Sequence, residues 1–327
     1  MFDLPTVLDA EDLLDKAFGR AAKATAKGPD RVTKARNLAV ARVRIAGEAI
    51  DSTLRGIVKG FPSLDRLPPF DRELMDLLVG GEALKKHLGA IDWAADRARL
   101  LTRDYRRRIG RAEGPEIGRL RQEAYGRLSS VVDQVASDLK ALADARRTLR
   151  RLPEIDPDLP TIVVAGSPNV GKSSFVRAVS TGRPKVADYP FTTKQVSLGH
   201  VERAGHRFQV LDTPGLLDRP MEKRNRLERQ AIAALTHLAD AILFLLDPTE
   251  TCGYPLEDQR RLLEEIRALF PTVPIIVVEN KADLGGPTDG HPRISALRGK
   301  GVADAFSRVL RHVSSSPRGE SPALTSS

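Results

Sequence analysis

Apolar residues in the first 151 positions recur with the period of a helix. Leu84, Leu88, Ile91 and Ala95 follow one another at three or four residues, among many alanines, leucines and arginines. Glycine and proline interrupt this pattern at a few points. The pattern predicts helices over residues 9–25 (with Asp9 as N-cap), 31–59, 70–79, 82–111 and 116–151. Long helices joined by short breaks predict an all-α bundle domain over residues 1–151.

The pattern changes at residues 152–160, LPEIDPDLP, whose three prolines predict an extended linker. Beyond it, short apolar runs alternate with helical stretches, which predicts an α/β domain over residues 161–313. We expect a mostly parallel sheet flanked by helices. Its predicted strands cover residues 161–165, 208–211, 241–246 and 273–278. Residues 314–327 are rich in serine and proline and are predicted to be disordered.

The net charge of +9 is unevenly distributed along the chain. Residues 1–155 hold 30 Lys and Arg against 23 Asp and Glu, whereas residues 156–327 hold 22 against 20. We therefore expect the first half to face any polyanionic partner.

Other sequence features indicate a cytoplasmic protein, which we expect to be monomeric. The N-terminal segment carries acids and lacks the basic and apolar regions of a signal peptide. The longest apolar run, at residues 239–246, is too short to span a bilayer. Cys252 is the only cysteine, so no disulfide framework is possible, and we expect it to be a small buried residue.

A phosphate-binding loop follows the first predicted strand. Residues 166–173, GSPNVGKS, have the P-loop spacing and open a predicted helix. Glycines let backbone N–H groups face the phosphates, and the helix N-terminus adds partial positive charge. We expect Lys172 to reach the β- and γ-phosphates and Ser173 to bind Mg²⁺. The predicted phosphate-binding residues are Gly166, Ser167, Pro168, Asn169, Val170, Gly171, Lys172, Ser173 and Ser174.

A second motif, DTPG at residues 212–215, follows the apolar run FQVL. Asp212, at the tip of a neighbouring strand, is a candidate Mg²⁺ ligand, and the Gly215 N–H can contact the γ-phosphate. Between the two motifs lies DYPFTTK, residues 188–194, where a threonine would close on Mg²⁺ and the γ-phosphate. We favour Thr193 as this metal ligand, with Thr192 as the alternative.

The third motif, NKAD at residues 280–283, selects the base. The Asp283 carboxylate can accept hydrogen bonds from guanine N1–H and the 2-amino group, and adenine lacks this pair of donors. Asn280 can bond both the guanine side and the P-loop, and the stem of Lys281 can lie over the base. Ser295 and Ala296 follow, and we expect a backbone N–H there to meet guanine O6. Together the motifs predict a P-loop GTPase that binds GTP or GDP with Mg²⁺.

The residue after Gly215 is Leu216, which cannot orient water by hydrogen bonding, so intrinsic hydrolysis should be slow. Asn169 could help to bind a K⁺ ion near the β–γ bridge, or it could merely shape the loop. The other candidate for assisting hydrolysis is an arginine or an RNA group that a binding partner provides. The candidate catalytic residues are therefore Lys172, Asn169, Thr193 and Gly215.

These motifs resemble the Obg-related GTPases, in GSPNVGKSS, DYPFTTK, DTPGLLDRP and NKAD. The segments LPPFDRELMDLL (67–78), RDY (103–105), RRLPEIDP (150–157) and HLADAILFLLDPTETCGY (237–254) resemble the nucleolar GTP-binding protein (NOG) branch. The resemblance implies a ribosome-assembly factor that binds the large ribosomal subunit precursor, its rRNA and other assembly factors. Because the chain ends soon after the predicted GTPase domain, it resembles a short, archaeal-type member.

Three groups of basic residues in the first half are candidates for rRNA binding: residues 31–44, 103–111 and 146–151. Arginine binds phosphate by paired hydrogen bonds, and clusters give salt-dependent affinity. The alternative is a solvated helix face paired with local acids. Neither DNA nor a membrane is an expected partner, although a signalling GTPase whose helices bind a protein or a lipid surface is the alternative function.

Overall fold

The computed structural model describes residues 4–150, 155–156, 158–187, 196–212, 214–220, 222 and 224–313. Two compact units divide the chain. The helical unit contains the described residues of 2–66 and 78–150, and the nucleotide-loop unit contains residues 67–77 and the described residues of 151–327. Residues 67–77 thus group with the nucleotide-loop unit, although the sequence analysis placed them in the helical domain.

The first half of the described chain is helical. Its helices are α1 (Ala10–Ala22), α2 (Arg31–Gly60), α3 (Pro69–Val79), α4 (Gly81–Arg111), α5 (Pro115–Gln134) and α6 (Ala136–Leu149), with a 3₁₀ turn at Leu64–Arg66. Asp9 caps α1 as predicted, because its Oδ1 accepts a hydrogen bond from the Asp12 N–H at 2.8 Å. Asp30 caps α2 in the same way through the Thr33 N–H.

Small residues bring α2 and α4 together at the centre of the helical unit. A Cβ at Gly47 would lie 1.8 Å from the Thr102 Oγ1, so only glycine fits where the two helices meet. Ile50 and Leu54 on α2 and Ile91 on α4 are fully buried at helical spacing. The bundle core therefore follows the apolar periodicity of the sequence.

The prediction of one helix over residues 116–151 is wrong, because the chain leaves the helix at Val135 and α5 and α6 are separate. Val131, Val132 and Val135 are β-branched and favour a helix less than straight side chains do. The side-chain amide of Gln134 also donates to the Ser130 carbonyl oxygen at 3.0 Å, where it competes with the backbone N–H of the helix for the same acceptor.

The nucleotide-loop unit contains a sheet with strand order β2-β3-β4-β1-β5-β6. The strands are β1 (Thr161–Ala165), β2 (Lys185–Ala187), β3 (Val196–Arg203), β4 (His206–Asp212), β5 (Ala241–Leu246) and β6 (Ile275–Glu279). The helices of this half are α7 (Lys172–Val179), α8 (Arg226–Thr236), α9 (Leu256–Leu269) and α10 (Val302–Leu310). Strands β4, β1, β5 and β6 are parallel, which confirms the predicted α/β fold.

Strands β2 and β3 were not predicted from the sequence. They add antiparallel pairs to one side of the sheet, with β3 against β4 and β2 against β3. By contrast, every residue of β5 is buried, as expected for a central strand covered on both faces. Cys252 is buried as predicted. Across the described residues, no helix combines the length and apolarity needed to cross a bilayer.

Candidate functional site

The phosphate-binding loop connects β1 to α7 and has a backbone that requires glycine at two positions. Gly166 has φ 135° and Gly171 has φ 103°. A Cβ at Gly166 would lie 2.5 Å from the Leu245 carbonyl oxygen, and one at Gly171 would lie 2.2 Å from Asn280 Nδ2. Asn169 also has a left-handed backbone, with φ 60°, so it shapes the loop. The loop is therefore tightly fitted against β5 and the NKAD segment.

Lys172 turns back over this loop. Its ammonium donates to the carbonyl oxygens of Gly166 at 2.8 Å and Ser167 at 2.9 Å, and the residue is only 7% exposed. A buried ammonium held by backbone carbonyls adds positive charge at the start of α7, where the helix dipole also favours anions. The geometry suits a polyphosphate.

Ser173 and Asp212, both predicted to bind Mg²⁺, lie side by side. The Ser173 hydroxyl donates to Asp212 Oδ2 at 2.5 Å, and Asp212 is fully buried at the end of β4. A hydroxyl and a carboxylate oxygen are ligands that Mg²⁺ prefers. These donors fit a magnesium ion, which would supply positive charge beside the phosphates.

The DTPG turn folds against the phosphate loop. Leu216 and Leu217 are buried, and the Gly166 N–H donates to the Leu217 carbonyl oxygen at 3.2 Å. Leu216 therefore packs in the interior and cannot orient a water molecule. The Gly215 N–H donates to Asp218 Oδ2 at 2.8 Å. Asp218, which sequence reasoning did not single out, is 6% exposed.

A buried arginine supports the same turn from behind. Arg224 is 4% exposed, and its guanidinium donates to the carbonyl oxygens of Arg219 (from Nε, 3.0 Å) and Gly215 (from Nη1, 3.4 Å). Burial lowers the pKa of Arg224, and the negative charge of Asp218 opposes that shift. Arg224 lies in no motif that the sequence analysis used.

Asn280 connects the base-recognition segment to the phosphate loop. Its Nδ2 donates to the Val170 carbonyl oxygen at 2.7 Å, and its Oδ1 accepts from the Ala296 N–H at 2.9 Å. The side chain of Val170 is buried in the core, so only its backbone serves the site. The Ala296 N–H, one of the two backbone N–H groups considered for guanine O6, thus donates to Asn280.

Lys281 is held by a buried carboxylate that sequence reasoning missed. Its ammonium lies 2.7 Å from Asp247 Oδ2, and Asp247 is fully buried at the end of β5. Burial alone would raise the pKa of Asp247, but hydrogen bonds from Lys281, Thr249 and the Cys252 N–H outweigh it and lower that pKa. The ion pair fixes the lysine stem in its left-handed turn, where φ is 63°.

Asp283 lies beside Ser295 and Arg298. The Ser295 hydroxyl and, to a smaller extent, the Arg298 guanidinium lower the pKa of Asp283. Arg298 Nε is 3.6 Å from Asp283 Oδ2. The carboxylate is therefore ionised at neutral pH and can accept two hydrogen bonds from one partner.

A cavity of about 510 Å³ lies at the phosphate end of the site. It is lined by Pro168, Asn169, Gly171, Lys172, Ser173, Ser174, Asp212, Pro214 and Asp218. The structure thus brings most of the predicted phosphate and metal residues together. Thr192 and Thr193 lie outside the described residues.

Two family models match this chain. The NOG1 N-terminal helical domain matches residues 2–156, and nucleolar GTP-binding protein 1 (NOG1) matches residues 226–283.

Individual relatives agree with these matches. An uncharacterized protein of Methanocaldococcus jannaschii is 39% identical over 86% of this chain and 80% of its own length. Nucleolar GTP-binding protein 1 of Saccharomyces cerevisiae is 37% identical over 88% of this chain, which spans only 45% of the yeast protein. A crystal structure of a protein assigned as nucleolar GTP-binding protein 1 from Plasmodium falciparum is 34% identical, with a TM-score of 0.44, over 50% of this chain and 90% of that one. The chain, with its P-loop GTPase domain, belongs to the nucleolar GTP-binding protein 1 family.

Proposed function

We propose that this protein is a GTP-binding and GTP-hydrolysing switch that acts, in the cytoplasm, on the precursor of the large ribosomal subunit. The cavity with Lys172 at its edge would hold the phosphates, and Ser173 and Asp212 would hold Mg²⁺. Asp283 would select guanine. Equal affinity of the purified protein for ATP and GDP would contradict this part of the proposal.

Hydrolysis should be slow in the isolated protein, because Leu216 is buried and provides no group that orients water. Asn169 lines the phosphate cavity and is the candidate for helping to bind K⁺ there. Single-turnover hydrolysis should then be faster in K⁺ than in Na⁺. Equal rates in the two salts would leave Asn169 with a loop-shaping role only.

The ribosomal partner is supported by one surface observation, the basic face of α4. Five arginines of this helix are exposed and have no carboxylate within ion-pair distance among the described residues. They are Arg97, Arg103, Arg106, Arg107 and Arg111. Arginines without acidic partners are available to bind phosphate groups of RNA.

Three arginines of the basic group on α2 make contacts within the helical unit. Arg44 pairs with Glu48 at 2.8 Å, and Arg36 donates to the Ala112 carbonyl oxygen at 3.0 Å. Arg42 donates weakly to the Ala22 carbonyl oxygen at 3.5 Å. These three arginines fit the alternative role of internal contacts and local pairing. Arg31 and Lys34, at the start of α2, are exposed and have no carboxylate within ion-pair distance among the described residues, so α2 offers two such cations where α4 offers five.

Exposed apolar side chains lie on the same face of α4 as Arg97, Arg103, Arg107 and Arg111, whereas Arg106 lies about 140° around the helix from Trp93. Trp93 is 48% exposed and Leu100 is 44% exposed, and with Arg107 they follow one another at seven-residue spacing. From Trp93 to Arg111 the face is about 27 Å long, at 1.5 Å per residue. Arginines for phosphates and an indole on which a base can stack are the combination that RNA-binding surfaces use. We therefore propose that this face contacts rRNA.

Sucrose-gradient sedimentation of cell lysate tests the ribosomal partner. In the presence of a GTP analogue, the protein should migrate with large-subunit particles and should leave them at high salt. Protein that remains at the top of the gradient under every condition would overturn the proposal.

Alanine variants test the α4 face directly. The triple variant Arg103→Ala, Arg107→Ala, Arg111→Ala should bind large-subunit rRNA more weakly. Its salt slope should fall by about 3, one for each phosphate group that an arginine no longer neutralises. The matched control is Arg44→Ala, Arg119→Ala, Arg147→Ala, which removes three ion-paired arginines from the same unit. Equal decreases in affinity in the two variants would exclude α4 as the specific surface.

The alternative is a signalling GTPase whose helices bind a lipid or protein surface. Trp93 and Leu100 beside arginines would also suit an anionic membrane surface. Binding to phosphatidylserine vesicles without binding to rRNA would favour this alternative over the ribosomal role.

A further inference from the structure

One hydrogen bond in the DTPG turn involves the backbone amide expected to detect the γ-phosphate. The Gly215 N–H donates to Asp218 Oδ2 at 2.8 Å, within the same turn. Asp218 lines the phosphate cavity and is 6% exposed. Its second oxygen, Oδ1, is buried and accepts no hydrogen bond from the residues that the structure describes. The turn therefore places a buried carboxylate on the N–H that is expected to bind the terminal phosphate.

We propose that Asp218 competes with the γ-phosphate for the Gly215 N–H and thereby sets the preference between GTP and GDP. The proposal rests on the guanine-nucleotide binding proposed above. The phosphates of GDP end at the β-phosphate, so GDP leaves the hydrogen bond between Gly215 and Asp218 intact. GTP can engage the same N–H only after the carboxylate has moved away.

The carboxylate of Asp218 and the γ-phosphate are both anions, so they exclude each other at this N–H. A backbone N–H that donates to one anion cannot donate fully to a second, and two anions at that distance repel in a poorly solvated site. The buried, unbonded Oδ1 adds to the cost of the present arrangement. Asp218 therefore holds the turn in place weakly enough for a phosphate to displace it.

The displaced carboxylate would remain close to a cation. Arg224 is buried beside the same turn, with Nη1 3.4 Å from the Gly215 carbonyl oxygen, and the negative charge of Asp218 acts on its guanidinium. The two backbone groups of Gly215 thus face opposite charges. Its N–H faces the Asp218 carboxylate, and its carbonyl oxygen faces the Arg224 guanidinium. Movement of the Gly215 peptide toward a γ-phosphate would break the hydrogen bond to Asp218 and leave Arg224 as the attractive partner for that carboxylate.

Nucleotide titrations of the full chain test the proposal. Asp218→Asn keeps the size of the side chain but removes its charge. The ratio of affinities for a non-hydrolysable GTP analogue and for GDP should rise about 3- to 30-fold, because a neutral acceptor competes less well than a charged one. The affinity for GDP alone should change by less than about 3-fold, because GDP leaves the hydrogen bond intact.

The matched control is Glu222→Gln, which removes one negative charge from an exposed residue four positions further along. It should leave the affinity ratio unchanged. An unchanged ratio in Asp218→Asn, or an equal rise in both variants, would overturn the proposal. Asp218→Ser should raise the ratio as well, which guards against a folding defect in a single variant.

An NMR measurement gives a readout that does not depend on affinity. In the GDP complex of ¹⁵N-glycine-labelled protein, the Gly215 amide proton should move upfield in Asp218→Asn and stay in place in Glu222→Gln. No movement in Asp218→Asn would contradict the hydrogen bond. Failure of the wild type to bind either nucleotide would instead contradict the proposed function, so the two failures are distinguishable.

Discussion

Asp283 is the residue on which the choice of nucleobase depends. Guanine presents N1–H and a 2-amino group, and a carboxylate accepts from both, whereas an amide side chain offers only one acceptor. Asp283→Asn should therefore weaken GDP binding by roughly 10²- to 10⁴-fold, the value of two charge-assisted hydrogen bonds. Titration with a fluorescent GDP analogue measures this decrease in affinity.

Inosine diphosphate, which lacks the 2-amino group, provides the control ligand. The wild type should bind it less tightly than GDP, and the Asp283→Asn variant should discriminate much less between the two. Asp258→Asn, which neutralises an exposed carboxylate on α9, should change neither affinity. If Asp283→Asn retained full discrimination against inosine diphosphate, another group would be reading the 2-amino position.

The ion pair between Asp247 and Lys281 predicts a pH-dependent contribution to stability. The folded-state pKa of Asp247 is below its ordinary value of 3.8, so its contribution is complete above the unfolded pKa and is lost as the pH falls through the folded pKa. Asp247→Asn should lower the free energy of unfolding by about 1–3 kcal/mol at pH 7, since it removes a buried charge-assisted hydrogen bond. Urea unfolding at pH 7, 5 and 3 measures the difference.

The difference in the free energy of unfolding between the wild type and Asp247→Asn should be the same at pH 7 and pH 5 and should be smaller at pH 3. A gap that stays constant down to pH 3 would show that the carboxylate charge contributes nothing. Glu257→Gln, on the exposed surface of α9, should give no gap at any of these pH values.

At the scale of elements, the close approach of the phosphate loop to the NKAD segment predicts a strict requirement for glycine. A Cβ at Gly171 would lie 2.2 Å from Asn280 Nδ2, and φ there is 103°. Gly171→Ala should therefore separate the two loops, lower the free energy of unfolding by about 2–4 kcal/mol and abolish GDP binding. Thermal unfolding with and without GDP measures both effects.

Gly182→Ala makes the same chemical change in the same unit and is the control. Among the described residues, a Cβ at Gly182 would meet nothing within 4 Å, so the stability and GDP affinity of this variant should match those of the wild type. A stable Gly171→Ala variant that still bound GDP would show that the close fit to Asn280 is dispensable.

Elements with strong local signals could be predicted from the sequence. Asp9 at the start of α1 and the glycines of the phosphate loop act through neighbouring backbone, so their roles follow from spacing. Strand β2 has only three residues and exists because it pairs with β3, which the local pattern cannot show. The break at Val135 likewise depends on a balance between helix propensity and a side-chain hydrogen bond.

The site shows the same division between local and distant determinants. The motifs placed the residues of the phosphate and base segments, because each motif lies at a strand end of a parallel sheet. Asp247 and Lys281 are 34 positions apart and meet only because β5 and β6 are adjacent. Asp218 becomes notable only when the turn aims it at the Gly215 N–H. The spacing of the sequence motifs does not predict that Asp247 pairs with Lys281 or that Asp218 accepts a hydrogen bond from Gly215.

At the scale of the whole molecule, one segment belongs to a different compact unit from its neighbours in sequence. Residues 67–77, which hold most of α3, group with the nucleotide-loop unit although helices of the other unit flank them. Phe70, Leu74 and Met75 are buried, and Glu73 Oε1 lies 3.1 Å from His237 Nε2, just after α8. We therefore expect α3 to unfold together with the nucleotide-loop unit.

Hydrogen exchange with and without GDP tests this expectation. A ligand at 100 times its dissociation constant stabilises the unit that binds it by about 2.7 kcal/mol, which slows exchange through unfolding about 100-fold. Peptides within α3 and α8 should both show this protection, whereas peptides from α2 should exchange at the same rate in both conditions. If α8 were protected and α3 followed α2 instead, the segment would unfold with the helical unit, and the pairing of Glu73 with His237 would be too weak to join α3 to the nucleotide-loop unit.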